Sequence, residues 1–199
     1  MTTRLLTWSG VDDASRTDHA FVELSGTSLR AVGGTQTNRF SSSWELDVAP
    51  GWVTRALRVT TRGFGWSRTL ELTRSKAGRW SADTATRGDS ALPAPGLDDP
   101  ESLDGALDCD LGLCPVTNTM PIRRLELLRR AAGDTPLVMA WVEMPSLRIL
   151  RSEQVYASAA ALEGRARVLY KSAGGDFSAH LTIDDEGLVI DYPGLARRT

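Results

Sequence analysis

The sequence predicts a mainly β protein, an α+β fold in a single domain with one or two short helices. Three observations carry that expectation. Val, Thr, Trp and Leu recur in short runs cut by Gly, Pro, Asn and Asp, the rhythm of strands in an antiparallel meander. Several runs alternate apolar and polar residues with period two, which turns one side of a strand to a core and the other to water. Connections such as Arg62-Gly-Phe-Gly-Trp66, Lys76-Ala-Gly78 and Ala173-Gly-Gly175 are short and carry glycine, which supplies the positive φ of hairpin turns. A chain of 199 residues with 41% hydrophobic content is long enough to bury a sizeable core as one domain.

Taken in order, a first set of strands falls at Arg4–Ser9, His19–Ser25, Ser28–Gly33, Ser42–Val48, Trp52–Arg62, Trp66–Ser75 and Arg79–Asp83. From Thr84 to Gly105, Ala, Pro, Gly, Asp and Ser dominate and hydrophobic periodicity disappears. This segment reads as a long surface excursion within the domain, because strands continue on both sides. Pro115–Met120 reads as a short helix or turn. Ile122 to Ala132 is ambiguous: Ile122, Leu125 and Leu128 share a helical face that Gly133 could cap, but the same residues could form a twisted strand. A second set of strands falls at Pro136–Glu143, Leu147–Ala157, Gly164–Ser172, Asp176–Ile183 and Leu188–Tyr192.

Alternation places two arginines on apolar faces. Arg55 shares parity with Val53, Leu57 and Val59, and Arg68 shares parity with Trp66, Leu70 and Leu72. A cation that points inward needs a partner or a solvated cavity. The structural reading is a strand end from which the side chain snorkels to water. The functional reading is a concave inner wall with cations among aromatics, suited to an amphiphile with an acidic or polyhydroxylated head. The six tryptophans divide in the same way: most pack a core, and one or two line a cavity.

Several function classes are excluded. A formal net charge of −2 and a pI near 5.7 leave no basic surface for nucleic acid. No segment approaches the roughly twenty apolar residues of a membrane span. The first ten residues lack the apolar core of a secretory signal, so a cytoplasmic protein is expected. Cys109 and Cys114 have no second pair of zinc ligands and are expected as free thiols, with no metal or other cofactor. No glycine-rich phosphate loop or nucleophile elbow is present, and His19 and His180 sit in strand-like surroundings without a catalytic partner.

The densest polar stretch is Asp108-Cys-Asp-Leu-Gly-Leu-Cys-Pro-Val-Thr-Asn-Thr-Met-Pro-Ile-Arg-Arg-Leu125. If its start is a strand, Asp108 and Asp110 share one face. They then either bind the nearby arginines and the following turn, or do acid–base work. This stretch resembles the core signature of the bacterial putative glycolipid-binding family, formerly a domain of unknown function. Trp52-Val-Thr-Arg55, Gly78-Arg-Trp80, Gln154-Val-Tyr156 and Gly187-Leu-Val-Ile-Asp-Tyr-Pro-Gly-Leu195 are similar to further motifs of that family, so the likeness runs along nearly the whole chain. The resemblance implies a long, strongly curved antiparallel sheet, a spiral β-roll or half-barrel similar in fold to periplasmic lipoprotein carriers.

Two functions follow as expectations. In the first, the chain is a non-catalytic binder of a small amphiphile, a glycolipid or similar lipid, on the concave face. Its ligand residues are then Arg55, Trp66, Arg68, Thr117, Asn118, Arg123, Arg124, Tyr156, Tyr170 and Asp191, with Asp108, Asp110, Pro115 and Pro121 holding them in place. In the alternative, it is an enzyme on a small polar or sugar-like substrate, with Asp108, Asp110 or Asp191 as acid–base group and arginines clamping an anion. A partner-binding role would instead use the Thr84–Gly105 segment.

Overall fold

A computed structural model describes residues 1–172 and 177–199. The expected Ala173-Gly-Gly175 turn, and the Asp176 start of one expected strand, lie outside the described residues. The strands are β1 (Thr2–Gly10), β2 (Thr17–Leu24), β3 (Leu29–Gln36), β4 (Ser41–Ala49), β5 (Val53–Gly63), β6 (Trp66–Arg74) and β7 (Trp80–Gly88), then β8 (Asp108–Leu111), β9 (Thr135–Val142), β10 (Ile149–Leu162), β11 (Arg165–Lys171), β12 (Ser178–Ile183), β13 (Val189–Tyr192) and β14 (Ala196–Arg198). One short helix, α1 (Thr119–Arg124), follows a 3-10 turn at Pro115–Asn118. Every strand expected from the sequence is present, with its ends moved by a few residues. The segment Ile122 to Ala132, ambiguous between helix and strand, is helical only to Arg124 and continues as turns.

All fourteen strands form one long curved sheet, ordered β7-β6-β5-β4-β3-β2-β1-β14-β13-β12-β11-β10-β9-β8. Two meanders meet where the last strand pairs with the first, Trp8 opposite Arg198. The Trp8 indole adds a bond across the join, donating to the Val189 carbonyl at 3.0 Å. Neighbouring strands are antiparallel except β8 and β9, which run parallel. The edge strand β8 curls over the inner face of β5: the Thr54 amide donates to the Leu107 carbonyl at 3.0 Å, and the Cys109 amide donates to the Thr54 hydroxyl at 2.9 Å. The sheet therefore rolls into a spiral.

The inner face of such a roll is apolar and must be covered. Trp8, Val22, Leu46, Leu57, Leu72, Val168 and Leu181 line it and are buried. The cover is the chain's own middle. Leu103, Leu111, Val116, Met120 and Ile122 are fully buried between the two arms of the sheet. Each such side chain contributes roughly 1.5–3 kcal/mol on leaving water. Asp108 goes in with them, 0% exposed. Arg124 grips it with two hydrogen bonds of 2.6 Å and also donates to the Trp52 carbonyl at 3.0 Å, so one guanidinium ties α1, β8 and the β4–β5 turn.

The two arginines read as inward-facing separate here. Arg68 is buried and points inward as its alternation requires. Among the described residues it has no carboxylate partner. It donates instead to the carbonyls of Pro93, Ser146 (2.7 Å) and Leu92 (3.0 Å) and to the Ser90 hydroxyl (3.0 Å). Arg55 corrects the expectation: its side chain is 55% exposed and pairs with Asp47 at 3.2 Å on the outer face. The cause is a β-bulge. Val48 pairs with Thr54 while Asp47 pairs with Ala56, which leaves Arg55 as the extra residue and turns Thr54, not Val53, inward.

The expected surface excursion is shorter than its composition implies. Residues 84–88 continue β7 against β6, Gly96 bridges to Arg148, and Leu103 is in the core. Arg68 fastens the stretch between them.

Breaking the buried ion pair leaves an uncompensated charge. Asp108→Ala should lower the free energy of unfolding by about 3–5 kcal/mol, read from the urea midpoint at unchanged slope. The double replacement Asp108→Leu with Arg124→Met should recover most of that loss, since an apolar pair of similar volume removes both charges together. A double variant no more stable than the single one would show that the pair is not what holds α1.

Candidate functional site

Antiparallel pairing fixes which turns share an end of the roll. The β1–β2, β3–β4 and β5–β6 turns lie at one end, and the β2–β3 and β4–β5 turns lie at the other. The buried 3-10 turn and α1 span the interior between these ends. Seven residues separate Thr117 from Arg124, roughly 10–14 Å of helical rise.

At the first end two cavities adjoin. A chamber of about 240 Å³ is lined by Asp110, Asn118, Trp141, Tyr170 and Tyr192, with Leu113 and Met144 at its edge. A groove of about 570 Å³ holds Phe40, Trp66, Leu92 and Pro145, with Arg16 and Arg39 on its rim. Leu113 and Met144 line both cavities, so the chamber and the groove share a wall; the groove mixes its apolar residues with Asp12, Asp13, Thr37 and Ser90. Leu113 has φ of +68°, a backbone region that side chains other than glycine occupy at a cost of order 1–3 kcal/mol. The amide of Gly112, bonded to the Val142 carbonyl, and that of Cys114, bonded to the Leu111 carbonyl, hold it there. The strained backbone thus presents an apolar side chain at the junction.

Asp110 lines the chamber. It accepts from the Thr117 hydroxyl at 2.9 Å and from the Gln154 amide at 2.7 Å. Burial pushes its pKa up, and these two neutral donors pull against that shift. Around it stands an aromatic cluster. The rings of Tyr156 and Tyr170 lie 5.4 Å apart, edge to face, and those of Tyr170 and Tyr192 lie 5.8 Å apart. Phe177 closes the group at 6.1 Å from both Tyr170 and Tyr192. The Tyr156 hydroxyl accepts from the Asn118 amide at 2.8 Å. Burial raises the phenol pKa of all three tyrosines, and the negative charge of Asp110 adds to the effect, so they remain neutral.

The residues expected at a ligand site fall into three places. Trp66, Thr117, Asn118, Tyr156 and Tyr170 gather at this end, with Arg68 behind the wall of the groove. Arg123 and Arg124 belong to the opposite end, in a cleft of about 290 Å³ with Trp52 and Arg129, where the Arg123 guanidinium lies 4.9 Å from the centre of the Trp52 ring. Arg55 and Asp191 are in cross-strand ion pairs, Asp191 with Arg197 at 2.9 Å. Trp141, Tyr192, Gln154 and the Leu113–Met144 junction were not among the expected site residues. Their signal is weak: each is an ordinary strand or loop residue until the roll brings it to the chamber. A larger concavity, about 670 Å³, lies on the outer face of β1–β7 beside the exposed Leu5, Phe21 and Val32. It is an open sheet surface carrying solvated ion pairs such as Arg58–Glu71, and no buried polar group converges on it.

Cys109 and Cys114 are free and buried, as expected. Burial pushes the Cys109 thiol up to about 12 and raises Cys114 as well, so neither is an activated nucleophile. Among the described residues no group of three or more His, Cys, Asp or Glu side chains is placed to hold a metal ion. No helix is long and apolar enough to cross a membrane.

The family model described as "Putative glycolipid-binding" matches residues 5–198. A crystal structure of a DUF1089 family protein from Pseudomonas aeruginosa, at 1.80 Å resolution, is similar over 92% of this chain and 92% of that one, with 26% sequence identity and a TM-score of 0.68. No curated protein matches.

Asp110 yields a prediction whose sign is fixed. Its native pKa lies above the ordinary value of 3.8, so between those two values the folded state keeps a proton that the unfolded chain has lost. The contribution is therefore fully present below 3.8 and is lost as pH rises through the native value. Asp110→Asn removes that loss, and the Gln154 Oε1, which has no partner, can accept from the new amide after a flip. The stability of the variant relative to the parent, measured by urea unfolding across this range, should rise with pH and then level off. A difference that is flat with pH would mean that the carboxyl is not raised.

Proposed function

The chain belongs to the putative glycolipid-binding family, and from that premise we propose that it binds one small amphiphile at the end of the roll where the two cavities meet. The observation that carries this reading is the pair of cavities itself: the chamber around Asp110, Asn118 and Tyr170 shares Leu113 and Met144 with a groove that holds Trp66, Phe40 and Leu92. A head with hydroxyls would find acceptors and donors in the chamber, and a flat ring or acyl chain would lie on Trp66. The site is then smaller than a whole concave face, because the middle of the chain already fills most of the inner surface. Trp66, Asn118 and Tyr170 would touch the ligand, while Thr117, Tyr156 and Arg68 would position the groups that do. Arg123 and Arg124 would serve the fold at the far end.

One observation favours a second reading. Of the three aspartates that an acid–base mechanism could use, Asp108 is held by Arg124 and Asp191 by Arg197. Only Asp110 faces a cavity with its pKa pushed up, which suits a proton donor.

The binding reading predicts that tail and head contribute separately. Dodecyl maltoside, below its critical micelle concentration, should bind at least about tenfold tighter than maltose, a difference of about 1.4 kcal/mol. Trp66→Ala should remove most of that gap and leave the weak binding of maltose unchanged. Native mass spectrometry of gently purified protein should show a bound lipid. A protein that carries no lipid and binds neither dodecyl maltoside nor other members of a lipid and glycolipid panel would refute the reading.

A further inference from the structure

Resting on the assignment of the chamber to the ligand's head, we propose that this head is cationic: an amine or quaternary ammonium group seated between Asp110 and the rings of Tyr170, Tyr192 and Trp141. Among the described residues, this protein gives each of its two buried carboxylates an arginine partner. Asp108 is wholly buried and is held by Arg124 through two 2.6 Å bonds. Asp18 is 4% exposed and is held by Arg16 at 3.0 Å. Each buried negative charge has a guanidinium of its own, as the cost of desolvation demands. Asp110, half-buried on the chamber wall, is the exception. Both of its hydrogen-bond donors are neutral, and no arginine, lysine or histidine lines its cavity among the described residues.

The carboxylate without a cation is also the one that faces empty space, and that space is walled by aromatic rings. Aromatic rings attract a cation through the negative potential of their faces, and the attraction grows where water is excluded. The tyrosines stay neutral, so they contribute ring potential and hydroxyl dipoles without charge. Acceptors and π faces together are the opposite of a phosphate or sulfate site, which needs donors and positive charge. An anionic head would meet Asp110 with nothing to offset it. A neutral sugar could be bound but would leave the charge of Asp110 unmatched.

The test needs a pair of probes equal in shape and unequal in charge. Choline and its uncharged isostere dimethylbutanol form such a pair, titrated into the full chain by calorimetry near neutral pH. Choline should bind at least about tenfold tighter than the isostere. Asp110→Asn, if folded, should close that gap. If this variant does not fold, the comparison on the unaltered protein decides alone. Equal binding of the two probes, binding of neither, or a gap that persists in folded Asp110→Asn would overturn the proposal. Dodecyl maltoside in parallel separates the two claims. If it binds while choline shows no advantage, the amphiphile reading stands and the cationic head falls. If choline wins while dodecyl maltoside and other tailed ligands do not bind, the head pocket stands without a lipid tail.

Discussion

Asp108 can be buried only because Arg124 reaches it, and much of the architecture depends on that contact. A sheet of fourteen strands that curves into an open spiral has an inner face too large to close on itself. The middle of the chain must enter and cover it. The segment that does so carries Val116, Met120 and Ile122 for the apolar wall, and also brings peptide groups and a carboxylate into a space without water. Arg124 resolves the conflict by pairing with Asp108 and capping the Trp52 carbonyl at the far end of the roll. Thr54 does similar work for β8, offering its hydroxyl to an amide that the parallel ladder does not use. The polar residues of the signature are the means by which an apolar plug can be threaded and stopped at a defined depth.

Much of this was legible in the sequence. Alternation and glycine turns located β1 to β7 and β9 to β13, because most of these strands have one wet and one dry face. The inward direction of Arg68 was legible for the same reason. What periodicity could not convey was the effect of single-residue bulges. In β5, one extra residue reversed the parity before Leu57, so Arg55 faces water although it alternates with core residues. In the β10–β11 hairpin, a two-residue turn at Glu163-Gly164 would put Tyr156 opposite Lys171. The irregularity between Ala159 and Leu162 shifts the pairing by one, and Tyr156 meets Tyr170. The aromatic cluster exists because of that shift. β14 was not legible because three residues are too few to show a period, and its pairing with β1 is set by chain ends far apart in sequence.

The same logic explains why the ligand-site residues expected from the signature separate. A stretch eighteen residues long looks like one cluster on paper, but in the fold it runs along β8 to the chamber and doubles back, so that Asp108 meets Arg124. Its first half ends in the chamber with Asp110, Thr117 and Asn118, and its second half emerges in the arginine cleft with Arg123 and Arg124. Proximity in sequence therefore overstated their cooperation, while Tyr170 and Tyr192, distant in sequence, are the true neighbours of Asp110.

Asp108 and Asp110 share one face of β8, two residues apart, and differ in what they are given. The returning 3-10 turn and α1 supply Asp108 with a guanidinium and Asp110 with only a hydroxyl, although an arginine would have stabilised Asp110 more. A second buried arginine would have neutralised the chamber and filled it. Leaving Asp110 to Thr117 and Gln154 keeps both the charge and the space beside it. If stability alone governed this site, the simplest arrangement would be an apolar residue at this position packed against Tyr170. A carboxylate held by two neutral donors at the edge of a cavity is costly to the fold, and that cost falls where something outside the chain supplies the missing partner.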